Sequence, residues 1–415
     1  MANWELKSLA ELISIKHGYA FKGEYFKNSG KYIVLTPGNF NEEGGFRRRK
    51  EKDKYYSGDF PVGYILTMGD LIVAMTEQGE GLLGSTAIVP ENDKFLHNQR
   101  LGLISSNQGI SLDLKYIYYV FNSNVVRQQI RATASGAKVR HTSPFRIGEV
   151  KINLPPFYLQ HRIASILSAY DDLIENNTRR IAILEEMARR IYEEWFVHFR
   201  FPGHENVRMV ESELGLIPEG WAIRSFDNIA SFVNGYAFKP DDWGTEGIPI
   251  IKIKELKAGI QTDTPRYAGT LTEKYRVKNG TLLFSWSADL DVYIWAEGEG
   301  WLNQHLFLVT AKEASIPPSF LFHALSTSMP LFRSRSNGAT MKHIKRSALS
   351  EVKTVFPTEY ILVTFAETVQ PIHDLIIRLN RKNRNLRTTR DLLLPKLISG
   401  ELDVSQRPEP DKIAE

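Results

Sequence analysis

Two long segments of the chain repeat apolar residues at alternating steps of four and three positions. This spacing is the heptad seam of paired helices, and Asn177, Asn383 and Arg390 are polar positions within it. The first seam consists of Ile163, Leu167, Tyr170, Ile174, Asn177, Ile181, Leu184, Ala188, Ile191 and Trp195. The second consists of Phe365, Val369, Ile372, Ile376, Leu379, Asn383, Leu386, Arg390, Leu393 and Leu397.

A single stripe of this kind is equally typical of an ordinary core helix. Two matched helices of this length are harder to bury in one globule, since a helix from Leu159 to Phe199 would be about 60 Å long. Pairing of the two helices with each other is the economical way to cover both seams. The polar seam positions would then fix the register at some cost in stability.

Prolines and glycines mark the ends of both helices. Each helix follows prolines, Pro155-Pro156 in the first case and Pro357 in the second, which suit a helix N-terminus. Gly203 and Gly400 lie just beyond the C-terminal ends. Pro371 falls inside the second pattern and predicts a kink or a late helix start.

The segments before each helix are β-rich, because short apolar runs alternate with Gly, Asn and Pro. The pattern predicts an α+β protein with two β-rich domains in tandem, each followed by a long helix. We place the first domain at 1–157, the first long helix at 158–200, the second domain at 201–357, the second long helix at 358–402 and a polar tail at 403–415. Strands are predicted at 32–35, 64–66, 71–75, 101–104, 248–253, 281–284 and 306–310, and helical stretches at 114–130 and 320–332.

The second domain repeats motifs of the first. Gly18-Tyr19-Ala20-Phe21-Lys22 recurs as Gly235-Tyr236-Ala237-Phe238-Lys239, and Asn98-Gln99 recurs as Asn303-Gln304. The offset between the copies falls from 217 at Gly18 to 205 at Asn98 and stays at 202 from Gly136 onward. A drifting offset indicates loops of different length, and a constant offset indicates helices that tolerate no insertion. Two similar modules in one chain suit a bipartite target.

Composition narrows the function classes. The chain has 415 residues and no cysteine, which excludes disulfides, thiol catalysis and zinc sites with Cys ligands and suits the reducing cytoplasm. No apolar run reaches the length of a membrane span, and the N-terminus lacks the pattern of a signal peptide. The net charge is +4, and the excess lies in residues 1–155, with 20 Lys and Arg against 15 Asp and Glu. This mild basicity is compatible with nucleic-acid contact.

Three motifs resemble enzyme signatures, and each has a simpler interpretation. Gly79–Gly84 matches a nucleotide-binding loop but precedes an apparent strand, so a hairpin is expected. Asn153-Leu154-Pro155-Pro156-Phe157 approaches the motif of adenine methyltransferases, yet its prolines fit a helix start. Glu149-x-Lys151 and Glu351-x-Lys353 could end a nuclease site, but a surface ion pair is the default. We find no catalytic machinery and no metal-ligand spacing.

The remaining polar motifs favour recognition. Amide and guanidinium groups can hydrogen-bond to the edges of purine bases. Aromatic rings next to a cation are also suited to nucleic-acid contact. The basic run Arg47–Lys50 could contact phosphates or be a solvated loop. For any single residue a structural or solvent-facing role is the alternative. The candidate DNA-binding residues are Tyr19, Phe21, Lys22, Asn98, Gln99, Arg100, Lys138, Arg140 and His141 in the first domain, and Tyr236, Phe238, Lys239, Asn303, Gln304, His305, Lys342, His343 and Lys345 in the second.

Three motifs carry a family resemblance: Glu194–Gly203, Ser212–Trp221 and Leu393–Leu402. With the domain layout they resemble the specificity (S) subunit of type I restriction–modification systems. The resemblance implies that the two helices pack antiparallel as a ruler and that each recognition domain reads one half of a split site on double-stranded DNA. It also implies two methylation (M) subunits that carry S-adenosylmethionine and methylate adenine, and restriction (R) subunits that use ATP and Mg²⁺. The S subunit itself would have no cofactor and no catalytic role.

Three other interpretations remain open at this point. The chain could be an enzyme with an unrecognised site, which activity of the purified chain would support. It could be a coiled-coil scaffold whose tandem β domains bind protein or carbohydrate, which salt-insensitive binding without DNA affinity would favour. It could also be a detached recognition subunit of another DNA methyltransferase system.

Overall fold

The computed structural model describes residues 4–79, 81–337 and 343–405. The chain forms two compact units, Met1–Asp172 with Arg387–Glu415, and Leu173–Leu386. Strands and helices are both abundant, which confirms the α+β class. No helix in the described part of the chain has both the length and the apolar character needed to cross a membrane.

The first unit contains a β-rich domain and the beginning of a long helix. We call its strands and short helices the first β domain. Its strands are β1 (Glu5–Ser8), β2 (Ile13–His17), β3 (Phe26–Lys27), β4 (Tyr32–Val34), β5 (Tyr55–Tyr56), β6 (Ile65–Leu66), β7 (Leu71–Ala74), β8 (Thr76–Glu77), β9 (Thr86–Ile88), β10 (Phe95–Leu96), β11 (Leu101–Ser106), β12 (Arg140–His141) and β13 (Lys151–Leu154). The helices are α1 (Leu9–Leu12), α2 (Leu114–Asn122), α3 (Asn124–Ala132), α4 (Pro144–Gly148) and the long α5 (Phe157–Tyr192), which ends in a π-helical turn over Glu193–Val197.

The second unit has the corresponding elements, and its strands and short helices form the second β domain. The strands are β14 (Met209–Ser212), β15 (Gly215–Pro218), β16 (Ala222–Ser225), β17 (Ala230–Asn234), β18 (Ile248–Ile251), β19 (Arg266–Tyr267), β20 (Arg276–Val277), β21 (Leu282–Ser285), β22 (Asp291–Ile294), β23 (Gly300–Leu302), β24 (Leu306–Ala311) and β25 (Lys353–Phe356). The helices are α6 (Phe226–Ile229), α7 (Ile253–Ala258), α8 (Pro318–Ser334), α9 (Ala348–Glu351) and the long α10 (Glu359–Ile398).

The two β domains share one topology. The sheet order β2-β11-β7-β9 in the first recurs as β17-β24-β21-β22 in the second. A second sheet contains a parallel pair in each domain, β4 with β10 and β18 with β23. In both domains an early strand pairs with the strand that leads into the long helix, β1 with β13 and β16 with β25. The repeated motifs therefore reflect duplication of a whole domain.

The one helical stretch expected at 114–130 is two helices, because a serine interrupts it. Ser123 has extended backbone angles between α2 and α3. Its hydroxyl donates to the carbonyl oxygen of Val120 at 2.6 Å and accepts from the N–H of Val126. This side chain caps both helix ends, so it competes with the continuous helix that the apolar periodicity favours.

The long helices pair along the heptad seam in antiparallel fashion within each unit. In the first unit Ile163 and Leu167 share an apolar core with Leu397, and Leu393 is partly buried against it. In the second unit Tyr192 and Phe196 pack around the ring of Phe365, with ring centroids 6.0 and 5.0 Å away. The buried seam residues are Ile163, Leu167, Ile174, Asn177, Ile181, Ala188, Phe365, Val369, Leu379, Asn383 and Leu397, and the partly buried ones are Tyr170, Leu184, Ile191, Trp195, Ile372, Ile376, Leu386, Arg390 and Leu393.

A pair of asparagines forms a polar layer of the seam in the second unit. Asn177 and Asn383 are 4% and 2% exposed. The Nδ2 of Asn177 donates to Oδ1 of Asn383 at 2.8 Å. The Nδ2 of Asn383 donates to the carbonyl oxygen of Ile174 and the hydroxyl of Thr178, at 3.4 and 3.3 Å. Because both amides are buried, each depends on the other for part of its hydrogen bonding.

The expectation of a late start for the second helix is wrong. The helix α10 begins at Glu359 and continues through Pro371. An interior proline costs roughly 3 kcal/mol or more, because it removes a backbone hydrogen bond and crowds the preceding turn. Phe365 and Val369 lie upstream of the proline and are fully buried, so their packing favours the helical conformation there. The kink stays a prediction.

Two histidines lie in the core of the second unit. The Nε2 atoms of His323 on α8 and His373 on α10 are 3.1 Å apart. Both rings pack in an aromatic cluster with Tyr192 and Phe322. Burial lowers the pKa of His323 to about 3 and that of His373 to about 4, from an ordinary value of 6.5. Both rings are therefore neutral at pH 7, and one donates a hydrogen bond to the other.

The asparagine layer predicts a non-additive pair of substitutions. Asn383→Ile alone leaves the buried Asn177 amide short of a partner, and we expect a loss of about 1–3 kcal/mol in the free energy of unfolding. Adding Asn177→Leu removes the orphaned group, so the double variant should recover most of that loss. Chemical denaturation of the full chain measures both. The control is Asn385→Ile, an exposed position of the same helix. A double variant as unstable as the single one would contradict this account.

The histidine pair predicts a pH dependence of stability. Since the folded-state pKa values lie below those of the unfolded chain, the unfolded state binds more protons as the pH falls below 6.5. The free energy of unfolding should therefore be at its full value above pH 6.5 and decrease towards pH 4. Urea denaturation at a series of pH values should show a shallower decrease for His323→Gln/His373→Gln. The exposed His198→Gln should keep the original slope.

Candidate nucleic-acid interface

In each β domain, four segments meet beyond the end of a central strand. In the first domain they are Gly18–Lys22, Met75, Asn98–Arg100 and Ser135–His141, which we call the first edge. The N–H of Tyr19 donates to the carbonyl oxygen of His97 at 2.7 Å, and that of Gln99 donates to Tyr19 at 3.0 Å. The N–H of Met75 donates to the carbonyl oxygen of Arg100 at 3.0 Å. The N–H of Thr142, directly after the last segment, donates to the carbonyl oxygen of Met75 at the same distance. Backbone hydrogen bonds therefore join all four segments.

The second domain builds the same arrangement from Gly235–Lys239, Trp286, Asn303–His305, Asn337 and His343, which we call the second edge. The N–H of Tyr236 donates to the carbonyl oxygen of Leu302 at 2.8 Å, and that of Ile344 donates to Trp286 at 2.9 Å. Asn337 and His343 exchange two backbone hydrogen bonds, as Ser135 and His141 do in the first domain. Most of the motifs identified in the sequence thus come together in two equivalent places.

The glycine and asparagine that the two copies share build the frame of each edge. A Cβ atom at Gly18 or Gly235 would overlap the carbonyl oxygen of Asn98 or Asn303. The Oδ1 of Asn98 accepts from the N–H of Arg100 at 2.9 Å, and that of Asn303 accepts from His305 at 3.3 Å. These amide oxygens stabilise a turn, which is the common role of Asn in such loops.

The aromatic residues of the repeated motif are also largely structural. Phe21 packs edge-on against Tyr56, with ring centroids 4.8 Å apart. Phe238 is 6% exposed and packs against Tyr267. Tyr19 and Tyr236 make edge-to-face contacts with Phe21 and Phe238, and both tyrosines are half-buried. Phe238 is therefore a buried anchor of its loop, and Phe21, Tyr19 and Tyr236 remain partly accessible.

The charged and amide candidates occupy the exposed rim of the edges. Lys22, Gln99, Arg100, Lys138, Lys239 and Lys345 are exposed, and Gln304 is half-buried. Arg140 and His141 form the strand β12, which pairs with β8. His305 and His343 lie beside Trp286, with ring centroids 6.1 and 5.9 Å from it. Lys342 lies outside the described residues.

The sequence did not indicate two residues that organise the edges. Met75 and Trp286 follow β7 and β21 at equivalent positions, and each contacts the turn and the hairpin of its own edge. Their identities differ, so no repeated motif marks them. Aligning the ends of the two apolar strands could have located them.

Buried His97 supports the first edge through a hydrogen bond. It is 1% exposed, and its Nε2 lies 2.9 Å from the carbonyl oxygen of Leu101. Burial lowers its pKa to about 4. The ring is therefore neutral at pH 7, and because a carbonyl can only accept, Nε2 carries the proton and donates. This hydrogen bond holds the His97 side chain in place directly before Asn98.

The enzyme-like motifs have structural roles. The glycine-rich segment is a hairpin loop whose N–H groups at Gly81, Leu82 and Leu83 donate to Oε2 of Glu77 at 2.8–3.1 Å. The chain's own carboxylate thus occupies the place that a phosphate would take. Pro155 and Pro156 stand between β13 and α5, in accordance with a helix start.

The Glu351-x-Lys353 motif and one arginine of the basic run form ion pairs. Lys353 contacts Glu213 at 2.5 Å, and Glu351 contacts Arg335 at 3.6 Å. In the basic run, Arg48 bonds the buried Asp53 at 2.9 Å and lies over the ring of Phe95, at the other end of β10 from the first edge. Among the described residues, no three His, Asp or Glu side chains are grouped as a metal site.

The close contact between Gly18 and the carbonyl oxygen of Asn98 predicts that a larger residue at position 18 destabilises the protein. Gly18→Ala forces the loop away from Asn98, and we expect a loss of about 1–3 kcal/mol in the free energy of unfolding. Gly23→Ala is the matched control, because a Cβ there meets no atom within 4 Å. Chemical denaturation of both variants measures the difference. Equal stability of the two would show that the close contact does not hold the loop.

Comparison with known proteins identifies the family. A family model, "Type I restriction modification DNA specificity domain", matches residues 1–186 and 218–386. The chain is 26% identical over 308 residues to the type I restriction enzyme MjaIX specificity subunit of Methanocaldococcus jannaschii, with 70% of each chain covered. It is 23% identical over 351 residues to the putative MjaX specificity subunit of the same organism, covering 82% of this chain and 80% of the relative.

A solved structure supports the fold. The crystal structure of the S subunit of a type I restriction–modification system from M. genitalium aligns with a TM-score of 0.61 at 17% identity, and 97% of each chain is covered. Because the family model matches most of the chain in two successive copies, the chain belongs to the family of type I restriction–modification DNA specificity domains.

Proposed function

We propose that this chain is the DNA-recognition subunit of a type I restriction–modification complex, and that each β domain reads one half of a bipartite site through its edge. The observation that carries the proposal is the presence of two edges with the same backbone frame and different exposed side chains. Such a pair can bind two similar stretches of duplex and still distinguish their sequences. Family membership supports the DNA target.

The charges of the edges fit a polyanion. Among the described residues, the side chains of Lys22, Arg100, Lys138 and Lys239 have no acidic partner, unlike a surface cation such as Lys94, which pairs with Glu91. Uncompensated Lys and Arg groups bind DNA phosphates, and the affinity falls with salt. The small net charge of +4 indicates weak binding by the chain alone and stronger binding within a complex.

The paired helices suit the role of a spacer. Each continuous helix contributes residues to both units, and the seam binds α5 to α10 in both. We propose that the length of this pair sets the distance between the half-sites. We further propose that the chain assembles with two methylation subunits, which carry S-adenosylmethionine and methylate adenine, and with restriction subunits, which use ATP and Mg²⁺. In this assignment the chain supplies no catalytic group, and the complex acts in the cytoplasm.

Exchange of a β domain tests the reading of half-sites. Residues 1–157 are replaced by the corresponding domain of a relative with another target, and methylated adenines are mapped by single-molecule sequencing in cells that carry the partner subunits. One half of the motif should change and the other should persist. A change in both halves would refute independent reading, and a purified chain that methylates DNA without partners would refute the non-catalytic role.

A matched insertion in both helices tests the spacer. Four residues are inserted after Arg179 in α5 and four after Arg381 in α10, which keeps Asn177 with Asn383 and leaves every seam layer paired. The pair becomes about 6 Å longer, so the non-specific spacer of the motif should lengthen by up to about two base pairs. Both half-site sequences should remain the same.

The control places the same four residues between Asn28 and Ser29, in an exposed turn of the first β domain. That protein should retain the original spacer. An unchanged spacer in a folded, active helix variant would mean that the helices do not measure the DNA.

A further inference from the structure

The two edges allow a comparison within one chain. Residues that are identical and equivalently placed in both edges cannot explain why two half-sites differ. The glycine, tyrosine and asparagine of the repeated motifs belong to this class, and their contacts serve the frame. The positions that differ in the described part of both edges are therefore the ones that can carry sequence preference.

Arg100 and His305 occupy the most informative of these positions. Each follows the Asn-Gln pair, and its backbone N–H is bound by the asparagine side chain two residues earlier. The carbonyl oxygen of Arg100 also accepts from the N–H of Met75 at 3.0 Å. The backbone is thus fixed at both sides of the peptide, while the side chain of Arg100 is exposed.

The guanidinium group of Arg100 has no partner within the part of the chain that the structure describes. It has no hydrogen bond, ion pair or ring contact with any residue that the structure describes. Three other arginines of the first β domain have partners: Arg48 bonds Asp53, Arg127 bonds the carbonyl oxygen of Gly81, and Arg146 bonds the hydroxyl of Ser135. An arginine on a rigid backbone with a free guanidinium is prepared for an external partner.

The chemistry of the group specifies that partner. A guanidinium presents two parallel N–H donors, which match the O6 and N7 acceptors of guanine in the major groove. We propose that Arg100 reads a guanine in the half-site bound by the first β domain. This inference rests on the proposed function, since it names one base contact of the same edge.

The second edge cannot make this contact. The His305 ring lies beside Trp286, and its Nδ1 is buried without a partner among the described residues. An imidazole lacks the forked donor pair, and its shorter side chain keeps it against the tryptophan. The half-site of the second β domain is therefore read by different chemistry at the equivalent position.

The test uses the full chain together with its methylation partners. Arg100→His installs the residue of the second edge, and Arg100→Lys keeps the charge without the fork. We expect both variants to make one guanine of one half-site degenerate, with a roughly 10- to 100-fold loss of discrimination at that position. The other half-site should be unaffected. Mapping of methylated adenines gives the motif, and competition binding with single-base variants of the site gives the fold-change.

Arg47→His is the matched control, because Arg47 is an exposed arginine of the same domain, in the basic run away from the edge. It should leave the motif intact, and thermal unfolding should show that all variants are folded. An unchanged motif in Arg100→His overturns the inference. So does an equal loss of binding to all sequences, which would identify Arg100 as a phosphate contact. In both cases the domain exchange would still change one half-site if the proposed function is right, so the two failures are distinguishable.

Discussion

Burial of two apolar seams against each other is the interaction on which the rest of the molecule depends. Neither α5 nor α10 can cover its own seam, and each completes the core of both units. Leu397 closes the core beneath the first β domain, and Phe365 does so in the second. Because a buried side chain of this size contributes roughly 1.5–3 kcal/mol, loss of the helix pairing would also open the β domains. The β domains and the helix pair therefore depend on each other for folding.

In each edge, the residues that hold the loop backbone are different from the exposed side chains that could determine binding specificity. The hydrogen bonds of Asn98 and Asn303 and the close contacts at Gly18 and Gly235 define the loops. The side chains beyond them are exposed and bear little on stability, since surface substitutions usually change the free energy of unfolding by less than about 0.5 kcal/mol. Such a surface can acquire new preferences without loss of the fold.

Much of this architecture could be predicted from the sequence because it rests on periodicity and repetition. The heptad seam and the duplicated loops depend on local spacing, which is visible without a structure. The roles of individual side chains depend on contacts between distant segments. Asn98 resembled a base-reading amide, but its oxygen caps a turn, and Arg48 resembled a phosphate contact, but it is paired with Asp53. Pro371 failed as a helix boundary because burial of its neighbours outweighs its local preference.

The asparagine layer has a consequence for how the two halves of the chain recognise each other. At the constant offset of 202, the counterpart of Asn177 is Leu379 and that of Asn383 is Ile181. If α5 met a second copy of itself in the same register, Asn177 would face Ile181, and a buried amide would lose its partner. A pair of α10 helices would set Asn383 against Leu379, with the same result. The asparagine layer therefore favours pairing of α5 with α10 over pairing of either helix with a second copy of itself.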